Sequence, residues 1–359
     1  MHFYIQKSEV VCYNKIMSYV ITSSERNNKS ASEHETKALL YLMNFHCKSE
    51  EISFFVIDFF NDVTGLNAFA TEAYDIQSKA NKGVSPKTIG RELVTLFKNF
   101  VSDFNFKSYI LFLGGLADSI RKDSNKTEFC WDDITDKAKA KIKNGLIEEC
   151  KSKSYINNAT ITDDNIDNFL RNVLFVINDK EKSDYIKGIL NTSPLILPSN
   201  EVLDSIFDEI KDRQSSKKNT LVEGITINNL NQFIPFNRHI KASEIKLLVL
   251  NRIVNYDLMS KGIPGGFSDI YHSIDVRDRA IVIEDCKLAI AKTLFDKNNS
   301  DIFWIVFEDI YENLSLHPSY TIDEIYNNLN MNYVKMLNNL DIVSLKYFIS
   351  IIKEGMYEN

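Results

Sequence analysis

The sequence lacks both a long hydrophobic run and a cluster of cysteines. Its longest apolar stretches, such as YILFLGGLA, have the length of a β-strand, whereas a membrane-spanning helix needs about 18 or more apolar residues. The 5 cysteines are scattered, without the CxxC pairs of zinc sites or the density of a secreted disulfide framework. The first residues also lack the order of basic, apolar and small residues that marks a signal peptide. We therefore expect a cytoplasmic protein with reduced, mostly buried thiols and no membrane contact.

Several common functional signatures are missing as well. The 6 histidines show no metal-ligand spacing, which gives little support to a zinc-hydrolase or HNH-type site. The glycine-rich segment GIPGGF has neither the spacing nor the Lys-Ser/Thr ending of a phosphate-binding P-loop. A net charge of −7 argues against a surface that is basic throughout. A local basic stripe would still be enough to hold DNA phosphates.

The chain does have an ordinary globular composition over a length of two domains. Its 359 residues are 44% hydrophobic and 25% charged, which suits a soluble protein with domains of about 100–200 residues. Helix and strand signals alternate in the N-terminal part, and we predict an α/β domain over residues 1–120. The remainder, including TDDNIDNFLRNVLFVIN, has helical patterns, and we predict a mainly α-helical domain over residues 121–359. The prolines of NTSPLILPSN suggest a break near residues 192–200.

The predicted α/β domain has a definite order of elements. Ser32 is a candidate N-cap with Glu35 three residues later, the capping-box pattern, and a helix follows. ISFFVIDFF then predicts a strand, NDVTG predicts a turn, and the segment through YDIQSK predicts a second strand. An additional strand around residues 69–74 is a further possibility. Ser85 and Pro86 predict the start of another helix, and the apolar run SYILFLGG predicts a buried strand.

A chemically unusual face lies on the strand that contains YDIQSK. Because side chains alternate along a strand, Asp75, Gln77 and Lys79 share one side. Asp62 stands in the turn before this strand, and Asp58 precedes it by four residues. Oxygen ligands beside a lysine suit a Mg²⁺-dependent nuclease, because the metal polarises the phosphate and activates water while the lysine stabilises charge. Taken singly, these residues are more simply a turn aspartate, surface acids and a solvated lysine.

The segment around and after this strand is locally basic. From Ile76 to Lys107, six cations stand against two acids. The cations are Lys79, Lys82, Lys87, Arg91, Lys98 and Lys107. Free backbone N–H groups at the start of the predicted helix would add phosphate contacts, so Lys82, Lys87 and Arg91 are the candidates for DNA binding. A solvated helix face is the alternative.

Two short motifs, DFFNDV and DIQSK, resemble the PD-(D/E)XK restriction-endonuclease fold in its glutamine variant, in which QxK replaces (D/E)xK. The closer resemblance is to the double-stranded-DNA endonuclease domain of bacterial anti-phage effectors, found in CBASS effector nucleases and in the nuclease subunit of Lamassu systems. It covers about residues 30 to 115 and implies a mixed sheet flanked by helices. It also implies that Asp62 ligates the metal, that Gln77 fills the second ligand position and that Lys79 is the catalytic lysine.

The motifs depart from the family pattern at two positions. Asp58 stands where glutamate is more common, and Asn61 replaces the first aspartate of DDV. A neutral Gln77 also supplies less negative charge than a carboxylate. Metal binding would therefore depend on Asp62 and on Asp58.

Three further acids are candidates for supporting roles. By the resemblance, an acid of the first helix, Glu33 or Glu35, would complete the metal site, although Glu35 is more simply a capping residue. Asp75 shares the face of Gln77 and Lys79. The family pattern does not require Asp75, so it is either a partner of Lys79 behind the metal site or a plain surface acid.

The resemblance implies a Mg²⁺-dependent endodeoxyribonuclease, with Mn²⁺ as a substitute, that cleaves double-stranded DNA in anti-phage defence. We expect little sequence specificity, since nothing resembles a recognition helix or a zinc module. Such an enzyme needs control, so the helical half is expected to mediate homo-oligomerisation or to dock a sensor subunit such as an SMC-like ATPase. Two alternatives stay open. One is a non-catalytic nuclease-fold protein that binds DNA or scaffolds a complex, and the other is a helical adaptor whose N-terminal domain only packs.

Overall fold

A computed structural model of the chain describes residues 18–22, 32–190, 197–298 and 300–357. Cys12, His2, Pro194 and most of the polar segment before Ser32 lie outside these residues. Within the described residues, the strands are β1 (Tyr19–Val20), β2 (Ile52–Ile57), β3 (Val63–Asn67), β4 (Ala73–Lys79), β5 (Phe106–Leu113), β6 (Glu128–Phe129), β7 (Val173–Ile177), β8 (Thr226–Ile227) and β9 (His239–Lys241).

The α-helices of the same residues are α1 (Glu33–Asn44), α2 (Pro86–Glu92), α3 (Val94–Phe100), α4 (Asp136–Ser152), α5 (Asp163–Arg171), α6 (Lys182–Leu190), α7 (Asn200–Ser216), α8 (Ala242–Ile253), α9 (Ser268–Ser273), α10 (Arg279–Phe295), α11 (Ser300–Leu316), α12 (Ile322–Asn328), α13 (Met331–Val334) and α14 (Ile342–Tyr357). A short 3₁₀ turn, Lys217–Asn219, follows α7 directly. The predicted caps are confirmed: Ser32 and Glu35 form a capping box on α1, and Ser85 caps α2 ahead of Pro86.

Seven of the described strands form one mixed sheet in the order β6-β7-β5-β4-β3-β2-β9. Strands β2, β3 and β4 are an antiparallel meander, whereas β4, β5 and β7 run parallel. The second half of β5, from residue 109 to its end, is a continuous apolar run, as expected for a parallel strand that is covered on both faces. The predicted α/β region with a mixed sheet is confirmed.

Helices cover both faces of this sheet. On one face, Phe55, Ile76 and Phe112 pack in a single apolar cluster with α1, α6, α7, α8 and helices of the C-terminal region. On the other face, Leu111 and Phe175 pack with residues of α2, α3, α4 and α5. From Asn200 onward the described chain is mainly helical, which confirms the predicted helical region.

Three local predictions are wrong. Part of NDVTG is not a turn, because Val63–Asn67 pairs on both sides as β3. The single helix predicted after Ser85 is two helices, α2 and α3, separated at Leu93. The segment NVLFVIN does not continue a helix but forms β7, where its β-branched and aromatic residues are buried beside β5.

The sheet continues past the predicted domain boundary at residue 120. Strands β6, β7 and β9 all come from beyond it, and β7 and β9 pair with β5 and β2. The break predicted near residues 192–200 falls between α6 and α7, and most of it lies outside the described residues. Strands β1 and β8 form a separate two-stranded pair.

In the part of the chain that the structure describes, no helix combines the length and the apolar character needed to cross a bilayer. The described cysteines, Cys47, Cys130, Cys150 and Cys286, are free thiols. Cys47 and Cys130 are exposed, so the expectation of mostly buried thiols holds for only half of them.

Candidate active site

The turn between β2 and β3 places Asp62 beside the end of β4. The antiparallel register pairs Val63 with Ile76, so the residue before Val63 meets the residues after Ile76. Gln77 donates from Nε2 to Asp62 Oδ2 at 2.8 Å. Ser78 donates to the same oxygen from its backbone N–H at 2.7 Å and from its hydroxyl at 2.9 Å. The meander therefore brings Asp62 and Gln77 into direct contact and fixes the orientation of the carboxylate.

The Gln77 amide is held at both ends. Its Nε2 faces Asp62, and its Oε1 accepts a hydrogen bond from the Thr95 hydroxyl at 2.9 Å. Thr95 lies in the first turn of α3, directly after the interruption that separates α2 from α3. Because only the amide oxygen can ligate a cation, Gln77 would have to turn its amide over before it could bind a metal.

Burial dominates the electrostatics of Asp62. It raises the pKa of this carboxyl to about 7, although the nearby Lys79 and the Ser78 N–H favour the charged form. The carboxylates of Glu35 and Asp58 act in the same direction as burial. Among the described residues, the hydrogen bonds that Asp62 accepts with its side chain all reach Oδ2. The Oδ1 atom is therefore the oxygen that Asp62 can offer to a cation.

Lys79 ends β4 on the same face as Gln77. Its ammonium lies 3.3 Å from Glu92 at the end of α2, and its side chain is 28% exposed. A lysine side chain that is partly exposed can still reach a ligand with its ammonium group. Lys79 therefore borders the site on its solvent side.

Asp58 and Glu35 meet through a lysine that comes from far along the chain. Lys218 Nζ lies 2.6 Å from Glu35 Oε2 and 3.0 Å from Asp58 Oδ2, and its side chain is only 1% exposed. Asp58 adopts a left-handed backbone conformation with φ of +47°, which is uncommon for a residue with a Cβ. Glu33 instead pairs with Lys37 and Lys182. Of the two α1 acids, Glu35 is therefore the one that joins Asp58.

Asp75 does not touch Gln77 or Lys79 but sits in a buried polar cluster. Its carboxylate accepts hydrogen bonds from Thr64 at 2.6 Å, from Asn99 at 2.6 Å and from Asn61 at 3.3 Å. Burial raises its pKa to about 6, against the effect of these three donors. The reading of Asp75 as a surface acid is wrong, since the residue is fully buried.

A chain of hydrogen bonds connects this cluster to the site. Asn61 donates to Asp75, and the Thr95 hydroxyl lies within hydrogen-bond distance of both Asn61 Oδ1, at 3.1 Å, and Gln77 Oε1, at 2.9 Å, with one proton to donate to either of them. An amide suits the position of Asn61, because its nitrogen can donate to Asp75 while its oxygen can accept from Thr95. Asp75 thus supports Gln77 from behind, through Asn61 and Thr95.

The basic candidates occupy different surroundings. Lys87 lies 2.7 Å and Arg91 3.7 Å from Glu148 of α4, whereas Lys82 is exposed in the loop before α2. Lys98 is directed inward, with its ammonium 4.1 Å from the centre of the Tyr19 ring. A stripe formed by all six cations is therefore not present on the surface.

Several residues of this site escape sequence reasoning. Thr95 is half-buried and Asn99 is buried, and the available signal is a polar residue at each position within a mainly apolar helical segment. Lys218 offers no local signal, because it lies 183 positions from Glu35 and follows an ordinary charged helix.

The donor set suits a hard divalent cation, because Asp62, Asp58 and Glu35 provide carboxylate oxygens. Among the described residues, however, no three His, Cys, Asp or Glu side chains are arranged as a ready metal centre. The Lys218 ammonium stands between two of the three acids. Comparison with protein-family models, curated proteins and solved structures gave no match for this chain.

Proposed function

We propose that this protein is a Mg²⁺-dependent endodeoxyribonuclease built on a restriction-endonuclease-like sheet. The observation that carries the proposal is the contact of Asp62 with Gln77 at the end of β4, two residues before Lys79. A carboxylate, an amide and a lysine on one strand end, with two more acids beside them, is the donor set of a metal-dependent phosphodiesterase. Double-stranded DNA is the proposed substrate, by the resemblance of DFFNDV and DIQSK.

Each residue then has a defined task. Asp62 Oδ1 would hold the cation, while Ser78 keeps the carboxylate in place through Oδ2. A bound Mg²⁺ would polarise the scissile phosphate and lower the pKa of its water. The Lys79 ammonium would exchange Glu92 for a phosphate oxygen and stabilise the charge that develops there.

A non-catalytic nuclease-fold protein that binds DNA or scaffolds a complex is the second candidate. It is favoured by one observation, the Gln77 amide nitrogen that faces Asp62 in place of an oxygen ligand. A defence role with a sensor partner such as an SMC-like ATPase, and activity as a homo-oligomer, belong to the proposal only through the resemblance.

The proposal is tested by cleavage of supercoiled plasmid at increasing Mg²⁺ or Mn²⁺. We expect Lys79→Ala and Asp62→Asn each to lower the rate at least about 100-fold, as loss of a transition-state contact or of the metal ligand requires. Lys292→Ala, which removes an exposed lysine of α10, should cleave like the parent protein.

Circular dichroism must show that the variants remain folded. Undiminished cleavage by Lys79→Ala would overturn the mechanism. DNA binding without cleavage at any metal concentration, equal in the parent and in Asp62→Asn, would favour the scaffold instead.

A further inference from the structure

Lys218 occupies the place between two carboxylates that a cation would otherwise take. Its nitrogen is 2.6 Å from Glu35 Oε2 and 3.0 Å from Asp58 Oδ2. The side chains of Lys218 and Glu35 are 1% and 9% exposed, so water does little to separate them. Two carboxylates held this close would repel each other strongly if no cation lay between them.

Arg238, just before β9, fixes the segment that delivers this lysine. Its guanidinium donates to the carbonyl oxygens of Lys218 at 3.0 Å and Thr220 at 2.8 Å. It also donates to the carbonyl oxygen of Asp58 at 2.6 Å. One side chain therefore ties the turn after α7 to the end of β2.

The same geometry explains why the residues that the structure describes hold no preformed metal centre. Mg²⁺ and Ca²⁺ need several oxygens at about 2.0–2.6 Å, and a carboxylate that accepts a hydrogen bond from an ammonium offers less charge to a metal. Lys218 already engages Glu35 and Asp58, which leaves Asp62 as the remaining acid of the group. Burial lowers the pKa of Lys218, but the charges of Asp58 and Glu35 and their hydrogen bonds outweigh this effect, so that the pKa is raised.

We propose that the Lys218 ammonium is an internal cation that competes with divalent metal ions for Glu35 and Asp58 and so holds the site in a low-affinity state. The inference rests on the proposed metal site. Because Lys218 lies in the 3₁₀ turn that follows α7, displacement of this turn by a partner or a second copy would remove the ammonium from both carboxylates. The helical region would then control the nuclease through one side chain.

The test measures Mn²⁺ binding to the full chain by electron paramagnetic resonance or calorimetry, without reference to cleavage. Lys218→Met should raise the affinity for Mn²⁺ at least about tenfold, because one positive charge leaves the binding position. Lys218→Arg keeps the charge and should bind Mn²⁺ as weakly as the parent. The matched control is Lys217→Met, since the ammonium of Lys217 bonds to Asn237 and not to the acids.

Equal affinity in Lys218→Met and the parent, including no binding by either, would overturn the inference. If Lys218→Met does not fold, the inference is tested on the parent protein by measuring the acetylation of its lysines with and without Mn²⁺. Mn²⁺ should then increase the labelling of Lys218 relative to Lys217, and an unchanged ratio would contradict the competition. The proposed nuclease activity is judged separately, by the plasmid cleavage of Asp62→Asn and Lys79→Ala.

Discussion

Asp62 and Asp75 are nearby carboxyls in different surroundings: Asp62 is half-buried in the turn between β2 and β3, whereas Asp75 is fully buried on β4. Three donors from other side chains surround Asp75, so its carboxylate is satisfied within the fold. The donors to Asp62 converge on one oxygen, and the neighbouring charges include Glu35 and Asp58. Asp75 therefore stabilises the structure, whereas Asp62 retains an oxygen for a ligand.

The raised pKa of Asp62 makes a prediction about stability and pH. The pKa of Asp62 is about 7 in the folded chain and about 3.9 in an unfolded one. Between these two pH values, the folded state therefore binds more protons than the unfolded state. The free energy of unfolding should therefore fall as pH rises from about 4 to about 7. Asp62→Asn has no carboxyl to titrate at this position, so its free energy of unfolding should not show this fall. Its stability relative to the parent should therefore increase over that pH range by about 2 kcal/mol, a figure already reduced because Asp62 is partly exposed to solvent.

Thermal or urea unfolding of both proteins at the two ends of this pH range measures the effect. Asp164→Asn, which alters an exposed aspartate at the start of α5, is the control and should show no comparable gain. A stability difference between Asp62→Asn and the parent that does not change with pH would contradict the raised pKa of Asp62.

At this scale, sequence reasoning reaches only residues that lie close along the chain. The contact between Asp62 and Gln77 is predictable, because a short meander and the period of a strand bring them together. The orientation of the Gln77 amide is not, because Thr95 decides it from a separate helix. Lys218 is beyond prediction, since no local pattern marks a lysine that will be buried between two distant acids.

At the scale of elements, glycine sets how closely α2 and α4 approach. A Cβ on Gly90 would lie 2.0 Å from the carbonyl oxygen of Ile142, and one on Gly145 would lie 2.2 Å from that of Lys87. Neither position leaves room for any side chain, because the atoms in the way belong to the backbone. The helix that carries Glu92, the partner of Lys79, is therefore held in place by two glycines.

Gly145→Ala tests this contact, because the close approach and the helix propensity of alanine predict stability changes of opposite sign. Propensity alone predicts a gain of about 1 kcal/mol for alanine in a helix. The backbone overlap should instead cost about 3 kcal/mol, because α2 and α4 must move apart. Urea unfolding measures the change, and Gly262→Ala, whose added Cβ meets no atom within 4 Å, should stay near the parent value.

A stabilised Gly145→Ala would show that the helices do not meet as described.

The prediction of these elements from sequence succeeds where local chemistry decides, as in the caps at Ser32 and Ser85. It fails for β3 and β7, because strand formation there depends on neighbours elsewhere in the chain.

For the whole molecule, the sheet combines segments that are far apart in sequence. Strand β7 pairs with β5 although α4 and α5 lie between them in the chain, and β9 pairs with β2 although α2 to α7 lie between them. Sequence patterns predict which segments are strands but not which distant strands pair. The boundary at residue 120 follows from a change in composition, whereas the sheet follows from these long-range pairings.

A fragment of residues 1–120 is therefore expected not to fold on its own. It would lack β6, β7 and β9, which leaves β5 and β2 with unpaired edges and exposes the apolar faces that α6, α7 and α8 cover. We expect no cooperative unfolding transition by circular dichroism and rapid aggregation. A fragment of residues 1–253 keeps every strand of the sheet and α8, and it should unfold cooperatively below the temperature of the full chain.

The two fragments also locate the control of the site. Only the longer one retains Lys218 and Arg238, so only it can hold Glu35 and Asp58 as the full chain does. A cooperative transition in the shorter fragment, at the temperature of the full chain, would show that the site stands on an independent domain. Failure of the shorter fragment to fold, with the longer one intact, would mean that the sheet beside Asp62 and the segment that carries Lys218 are one folding unit.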